Sequence, residues 1–149
     1  MSVENGEAHK SIIKVVFLCT GNSSRSQMAE GFARHFGRDR LEAHSAGISP
    51  TSVNPRAIAV MEEAGLDISG QSSKAVTKDI LEQADFIITL CGDARESCPV
   101  VPGKVQKRHW PLEDPTGVEG TEAEIMAKFR EVRDQISKLV QDFIAEISA

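Results

Sequence analysis

Between Cys19 and Arg25 the chain runs Cys19-Thr20-Gly21-Asn22-Ser23-Ser24-Arg25-Ser26, a Cys-x5-Arg spacing filled by small and polar residues. The backbone N–H groups of such a run can curl into a nest around an anion. A helix starting behind it adds the positive end of its dipole. Arg25 brings a planar fork suited to bidentate contact with a tetrahedral oxyanion. The same positive field favours a thiolate on Cys19 and makes it a nucleophile at neutral pH. The reading is therefore a nucleophile at Cys19 and an oxyanion loop of Thr20, Gly21, Asn22, Ser23, Ser24, Arg25 and Ser26. No Gly-Lys-Ser/Thr follows, so a nucleoside triphosphate is not the natural ligand. A structural cysteine with a chance arginine is the bland alternative; the small-residue loop between a strand and a helix speaks against it.

A second constellation is Cys91-Gly92-Asp93-Ala94-Arg95-Glu96-Ser97-Cys98-Pro99. Zinc would want two to four residues between the cysteines and a second ligand pair, and neither is present. The spacing also exceeds that of a Cys-x-x-Cys redox motif. A disulfide across it needs the Cα atoms to approach within about 7 Å, which Gly92 and the polar residues between permit. On spacing alone, a redox pair and two incidental thiols stand level. Third comes His109-Trp110-Pro111-Leu112-Glu113-Asp114-Pro115, where either carboxylate could protonate a leaving oxygen or simply face water. His9, His35 and His44 form no ligand pattern, and no metal site is expected.

These residues need elements to position them. Ile12-Ile13-Lys14-Val15-Val16-Phe17-Leu18 reads as a strand buried on both faces, as in a parallel sheet. Met28, Phe32 and Phe36 mark one face of a helix ended by Gly37. Leu41 to Ala46 is a weaker strand. Asn54-Pro55 opens a helix as N-cap and first residue, with Ile58, Met61 and Ala64 as its inward stripe and Gly65 at its end. Val76, Ile80, Leu81 and Ala84 suggest a short helix. Phe86 to Leu90 is a second strongly buried strand, and Val105 to Trp110 a weaker one. Thr121 and Glu124 form a capping box for a last helix, whose face is Ile125, Phe129, Val132, Ile136, Leu139, Val140, Phe143 and Ile147. Alternating strands and helices imply a single α/β domain over residues 12–149, preceded by a flexible polar lead-in over 1–11. Ligands of such sheets bind beyond the carboxyl ends of the strands, where Cys19 and Cys91 both fall.

The chain has 149 residues, 40% hydrophobic and 26% charged, with Lys+Arg 17 against Asp+Glu 22. That suits one soluble globular domain. A net charge of -5 without a basic run argues against nucleic acid. No apolar run approaches the ~20 residues of a membrane span, and the apolar start of the first strand is no signal peptide. Three cysteines, an odd number, point to a reducing compartment, so the cytoplasm is expected.

The chain resembles the thioredoxin-coupled arsenate reductases, which share the low-molecular-weight protein tyrosine phosphatase fold. The resemblance runs from Val15 to the last helix. It rests on Phe17-Leu18-Cys19-Thr20-Gly21-Asn22-Ser23, Arg25-Ser26-Gln27-Met28-Ala29-Glu30-Gly31, Ser45-Ala46-Gly47, Thr89-Leu90-Cys91-Gly92-Asp93, Cys98-Pro99, and His109-Trp110 before Asp114-Pro115. It implies a four-stranded parallel sheet with helices on both faces, acting as a monomer with no bound cofactor. By the same resemblance, Cys19 attacks arsenate, Arg25 and the loop amides hold it, and Asp114 protonates the departing oxygen. Cys91 then resolves the adduct to release arsenite, and Cys98 moves the disulfide outward to a Cys91–Cys98 pair that thioredoxin reduces. Members commonly carry a further cysteine where Ser24 stands. Some bind potassium through an acidic side chain where this chain has Lys74, whose ammonium is expected instead beside Asn22, Glu30 and Ser45. A low-molecular-weight tyrosine phosphatase is the competing enzyme, but Thr116-Gly117 follow the Asp-Pro where such enzymes place aromatic residues. A thiol module binding trivalent metalloids is the other alternative, and it leaves Arg25 without a purpose.

Overall fold

The structure, a computed structural model, describes residues 12–90 and 105–148. The expected lead-in over residues 1–11, and Cys91 and Cys98 with the segment between them, lie outside the described residues. Four strands, β1 (Ile13–Cys19), β2 (Leu41–Gly47), β3 (Phe86–Thr89) and β4 (Gln106–His109), form one sheet in the order β2-β1-β3-β4. Every pairing is parallel, with Cys19 opposite Gly47, Leu18 opposite Thr89, and Thr89 opposite His109. All four strands therefore end at one edge. Parallel strands must be joined by crossovers, and the helices supply them. These are α1 (Arg25–Gly37), α2 (Pro55–Glu63), α3 (Lys78–Gln83) and α4 (Glu122–Ile147).

Alternation along β1 sorts the core. Val15, Phe17 and Cys19 point to one face, with Ile88 and residues of α1, α2 and α4 such as Met28, Met61 and Phe129. Val16 and Leu18 point to the other, with Ile87 and with Leu81 and Ala84 of the α3 region. Helices thus lie on both faces, three on one and the short α3 on the other among the described residues. Trp110, just past β4, packs on Phe17 and on Phe143 of α4 with ring centroids 5.8 and 6.1 Å away, closing the thicker layer. None of the described helices is long and apolar enough to cross a membrane.

The elements match the periodicity, with local corrections. Gly37 does not take the left-handed conformation; its successor Arg38 does, at φ 38°. A Cβ at position 37 would lie 2.7 Å from Leu41 carbons, so glycine there serves close packing. In α2 the buried residues are Ala57, Val60 and Met61, while Ile58 is half-buried and Ala64 exposed. The helix sits between α1 and α4, which turns its inward stripe by one position. Asn54 is its N-cap as read, accepting from the Arg56 N–H at 2.8 Å. Val76 stands outside α3, whose N-cap is Thr77. Its N–H donates instead to the Gly47 carbonyl, and Gly47 donates to the Lys74 carbonyl, tying 74–76 to the end of β2. At α4 both halves of the Thr121–Glu124 capping box form.

Candidate active site

The loop between β1 and α1 is defined by where its carbonyls go. The Cys19 carbonyl accepts from the Ile48 N–H, Thr20 from Ser49, Gly21 from Thr51, Ser23 from Asn54 and Ser24 from Met28, at 2.8 to 3.2 Å. The Asn22 carbonyl accepts from Gln27 Nε2 at 3.0 Å, and Ser73 Oγ adds a second donor to Gly21 at 3.0 Å. With six successive carbonyls drawn outward, the amide side of the loop is left to face the hollow it encloses. The first N–H groups of α1, which no intrahelical carbonyl can satisfy, open at the same place. Asn22 takes φ 49°, a left-handed turn that asparagine tolerates better than most residues. Its fully buried side chain pins the turn: Nδ2 donates to Ser26 Oγ at 2.8 Å and Oδ1 accepts from the Lys74 N–H at 2.9 Å.

Close approach matters as much as bonding. Gly47 lies directly behind the loop, and a Cβ there would sit 2.8 Å from both the Asn22 nitrogen and the Thr20 oxygen. Gln27, also fully buried, bonds the Asn22 and Ser72 carbonyls, and Gln71 Nε2 donates to Gln27 Oε1 at 2.8 Å. The segment 71–74 thereby straps the back of the loop to α1. Nothing in the chain order gives a role to Gly47, Gln27, Gln71 or Ser73. The one available signal was the density of small and amide-bearing residues in Gln71-Ser72-Ser73.

Behind the loop lies an ionic group. The Glu30 carboxylate is 2% exposed; Ser45 Oγ donates to its Oε1 at 2.5 Å and Arg34 pairs with its Oε2 at 2.7 Å. Lys74 Nζ lies 4.0 Å from Glu30 Oε1 and donates to the Ser72 carbonyl at 2.9 Å. Of the three expected neighbours the ammonium stands beside Glu30, whose Oε1 also accepts from Ser45, while Asn22 is met by the backbone N–H of Lys74.

On its open side the loop forms the floor of a cleft of about 370 Å³. Cys19, Thr20, Gly21, Ser23, Ser24, Arg25 and Asp114 line it, joined by Thr51, Asn54 and Thr116. Asn22 and Ser26 do not line it; their side chains brace the loop from behind. Cys19 is 3% exposed and is a free thiol. Arg25, 6% exposed, is held by its Nη1, which donates to the carbonyls of Leu90 at 3.3 Å and Leu112 at 3.1 Å. Its Nη2 stands 3.5 Å from Asp114 Oδ2. Among the described residues, two buried side-chain atoms have no partner: Arg25 Nε and Ser24 Oγ. A buried donor without an acceptor costs about 1–3 kcal/mol unless a ligand supplies one, and an oxyanion in this cleft would do so.

Asp114 is half exposed, and its two oxygens are divided. Oδ1 accepts from the N–H and the hydroxyl of Thr116, capping a one-turn 3₁₀ helix over Pro115–Gly117, while Oδ2 faces Arg25. Glu113 is committed elsewhere, to Lys128 Nζ at 3.0 Å. The loop, Arg25 and Asp114 therefore meet in one cleft. Such a cleft can hold a tetrahedral anion against a thiol, with a carboxyl group at its rim.

The family model for low molecular weight phosphotyrosine protein phosphatases matches residues 14–149. The arsenate reductase of Bacillus licheniformis is 50% identical over 129 residues, covering 87% of this chain and 93% of that protein. An arsenate reductase solved in its oxidized state superposes with a TM-score of 0.75 at 39% identity, over 90% of this chain and 98% of its own. A thioredoxin-dependent arsenate reductase of Corynebacterium glutamicum superposes with a TM-score of 0.66 at 29% identity, over 91% of this chain and 65% of its own.

Proposed function

This chain belongs to the low molecular weight phosphotyrosine protein phosphatase family, and we propose that within it the protein reduces arsenate to arsenite with electrons drawn from thioredoxin. The observation that carries the reading is Arg25 Nε, a buried donor without an acceptor beside the free thiol of Cys19 and the amide face of the loop. That arrangement asks for an oxyanion. Arsenate rather than a phosphate ester is favoured by relatives of 45–50% identity that are arsenate reductases. Cys91 and Cys98 favour it too, since hydrolysis has no use for a second and third thiol.

The chemistry follows in three exchanges. The Cys19 thiolate attacks arsenic, a sulfur–arsenic bond forms, and one oxygen leaves as water with a proton from Asp114. Arg25 and the amides of Thr20 to Ser26 hold the remaining oxygens through this change of charge. Cys91 then attacks the sulfur of Cys19. A Cys19–Cys91 disulfide forms, and the pair of the broken sulfur–arsenic bond stays on arsenic, which departs as arsenite. Finally Cys98 attacks Cys91, releasing Cys19 as a thiolate and leaving a Cys91–Cys98 disulfide for thioredoxin. Each electron pair has a destination, and a reduction begun in a small buried cleft is passed on as a second disulfide for thioredoxin to reduce. A thioredoxin-dependent reaction of this kind belongs in the cytoplasm.

Arsenate, thioredoxin, thioredoxin reductase and NADPH incubated with the protein test the reading. NADPH should be consumed in proportion to arsenite formed, and omission of thioredoxin should stop turnover. Turnover of para-nitrophenyl phosphate without arsenate reduction would transfer the protein to the phosphatases.

A further inference from the structure

A second cleft, of about 620 Å³, opens between the last turns of α1 and the stretch Leu66–Gln71. Its walls include Arg34, His35, Arg38, Leu66, Asp67 and Gln71, and it shares no residue with the cleft of Cys19. The two elements can lie this close because residue 31 is glycine: a Cβ there would stand 2.7 Å from Ile68 Cγ2. Arg34 is committed to Glu30 and to the Ala43 carbonyl. Asp67 spends Oδ1 on the N–H and hydroxyl of Ser69. Gln71 Nε2 is committed to the carbonyl and the side-chain oxygen of Gln27. Among the described residues neither the Arg38 guanidinium nor the His35 ring has a hydrogen bond or ion pair, and His35 only edges onto Phe36.

Arg38 also carries a conformational cost. It takes φ 38° and ψ -106°, where glycine would sit with less strain, and the adjacent Gly37 does not use the freedom glycine offers. A side chain kept at a strained position, unpaired and facing a cleft is an argument for a ligand.

We propose that this cleft is a second ligand site, for a small organic anion with an apolar body. The carboxylate or phosphate of the ligand lies on the Arg38 fork and the His35 ring, and its body lies against the half-buried side chain of Leu66. Free inorganic anions are poor ligands, because the cleft is far larger than a single tetrahedral ion and one wall is apolar.

The test is an amide-resolved NMR titration of the whole reduced protein with 1-naphthoate, 1-naphthyl phosphate, uncharged 1-naphthalenemethanol and inorganic phosphate. The two naphthyl anions should shift the amides of Arg38, Leu66, Gly70 and Gln71 saturably, separating a carboxylate ligand from a phosphate one by relative affinity. Inorganic phosphate should move only Gly21 to Ser26. Arg38→Gly relieves the left-handed strain and should melt no lower than the parent, yet should bind naphthoate at least tenfold more weakly, about 1.4 kcal/mol. His35→Ala should weaken it further in combination. Shifts confined to the Cys19 loop, equal binding of the uncharged alcohol, or undiminished binding by Arg38→Gly would each overturn the site. Because none of these readouts uses arsenate, the outcome is independent of the proposed reaction.

Discussion

Arg25 sits between two obligations, its Nη1 anchored on main-chain carbonyls and its buried Nε left without an acceptor. That division separates the residues that hold the substrate from those that react with it. Cys19→Ser should retain oxyanion binding and lose reduction, because an alcohol holds its proton far more tightly than a thiol. Cys98→Ser should release about one arsenite per protein and stall with Cys19 bonded to Cys91. Rapid-quench arsenite counting with disulfide mapping decides this, and sustained thioredoxin-driven turnover by the Cys98 variant would refute the relay. Asp114→Asn preserves the oxygen that caps Thr116 and removes the proton donor. It should cost roughly 10²- to 10⁴-fold in kcat with little change in thermal stability. Glu113→Gln breaks only a pair with Lys128 at the surface and should be nearly silent. Similar rates for the two variants would remove Asp114 from the mechanism.

At the scale of elements, the oxyanion loop is shaped by neighbours rather than by its own sequence. The end of β2 presses Gly47 against it, and the strap 71–74 bonds its back. Gly47→Ala would place a methyl group 2.8 Å from two backbone atoms of the loop, neither of which can swing aside. The expected result is loss of oxyanion affinity beyond tenfold while the circular dichroism spectrum stays that of the parent; unchanged phosphate binding would show that the loop yields. Lys74 belongs to the same strap. With its ammonium 4.0 Å from Glu30 Oε1, a potassium ion at the carboxylate would meet a like charge. Two cations crowded within about 4 Å repel by about 4 kcal/mol at an effective dielectric near 20. Potassium and sodium salts of matched ionic strength should therefore give the same melting temperature and the same KM for arsenate. Lys74→Gln should melt lower and acquire a potassium response. A clear potassium stabilisation of the parent would show that the lysine does not keep the ion out.

For the whole molecule, α4 is the brace, and ion pairs join it to α2 and to the sheet. Glu122 at its start pairs with Arg56 of α2, Arg130 and Arg133 reach Glu63 at the end of α2, and Glu146 near its end pairs with Arg108 of β4. Hydrogen bonds from Arg130, Arg56 and Arg108 hold the carboxyls of Glu63, Glu122 and Glu146 below the ordinary glutamate range. Groups depressed in the folded state stabilise it fully above the ordinary value near 4.5 and cease to do so as pH falls through their lowered values. Melting temperature should accordingly fall as pH drops from 5 to 3, and less so in a Glu63→Gln, Glu122→Gln, Glu146→Gln variant, which has already lost those contributions. All three carboxylates are exposed enough for salt to screen them, so added salt should flatten the difference. An equal acid slope in parent and variant would assign the loss to other carboxylates.

Much of this protein is readable along the chain, because the signals are local. The unbroken apolar run of β1 announces a strand covered on both faces, Asn54-Pro55 and Thr121-x-x-Glu124 announce helix starts, and Cys-x5-Arg with small residues between announces an anion loop. Each rests on periodicity, capping or composition within a few residues. What the chain order leaves open depends on contacts between segments far apart in sequence. Gly37 ends its helix as read, but by making room for Leu41 rather than by a left-handed cap, and Val76 looks helical but serves the edge of β2. The partition of Glu113 and Asp114 is likewise tertiary. Adjacent and chemically alike, they are told apart only once Arg25 stands beside one carboxylate and Lys128 beside the other. Composition supplies the carboxyl groups, while the packing of α1 and α4 beside the loop after β4 determines which one faces the cleft.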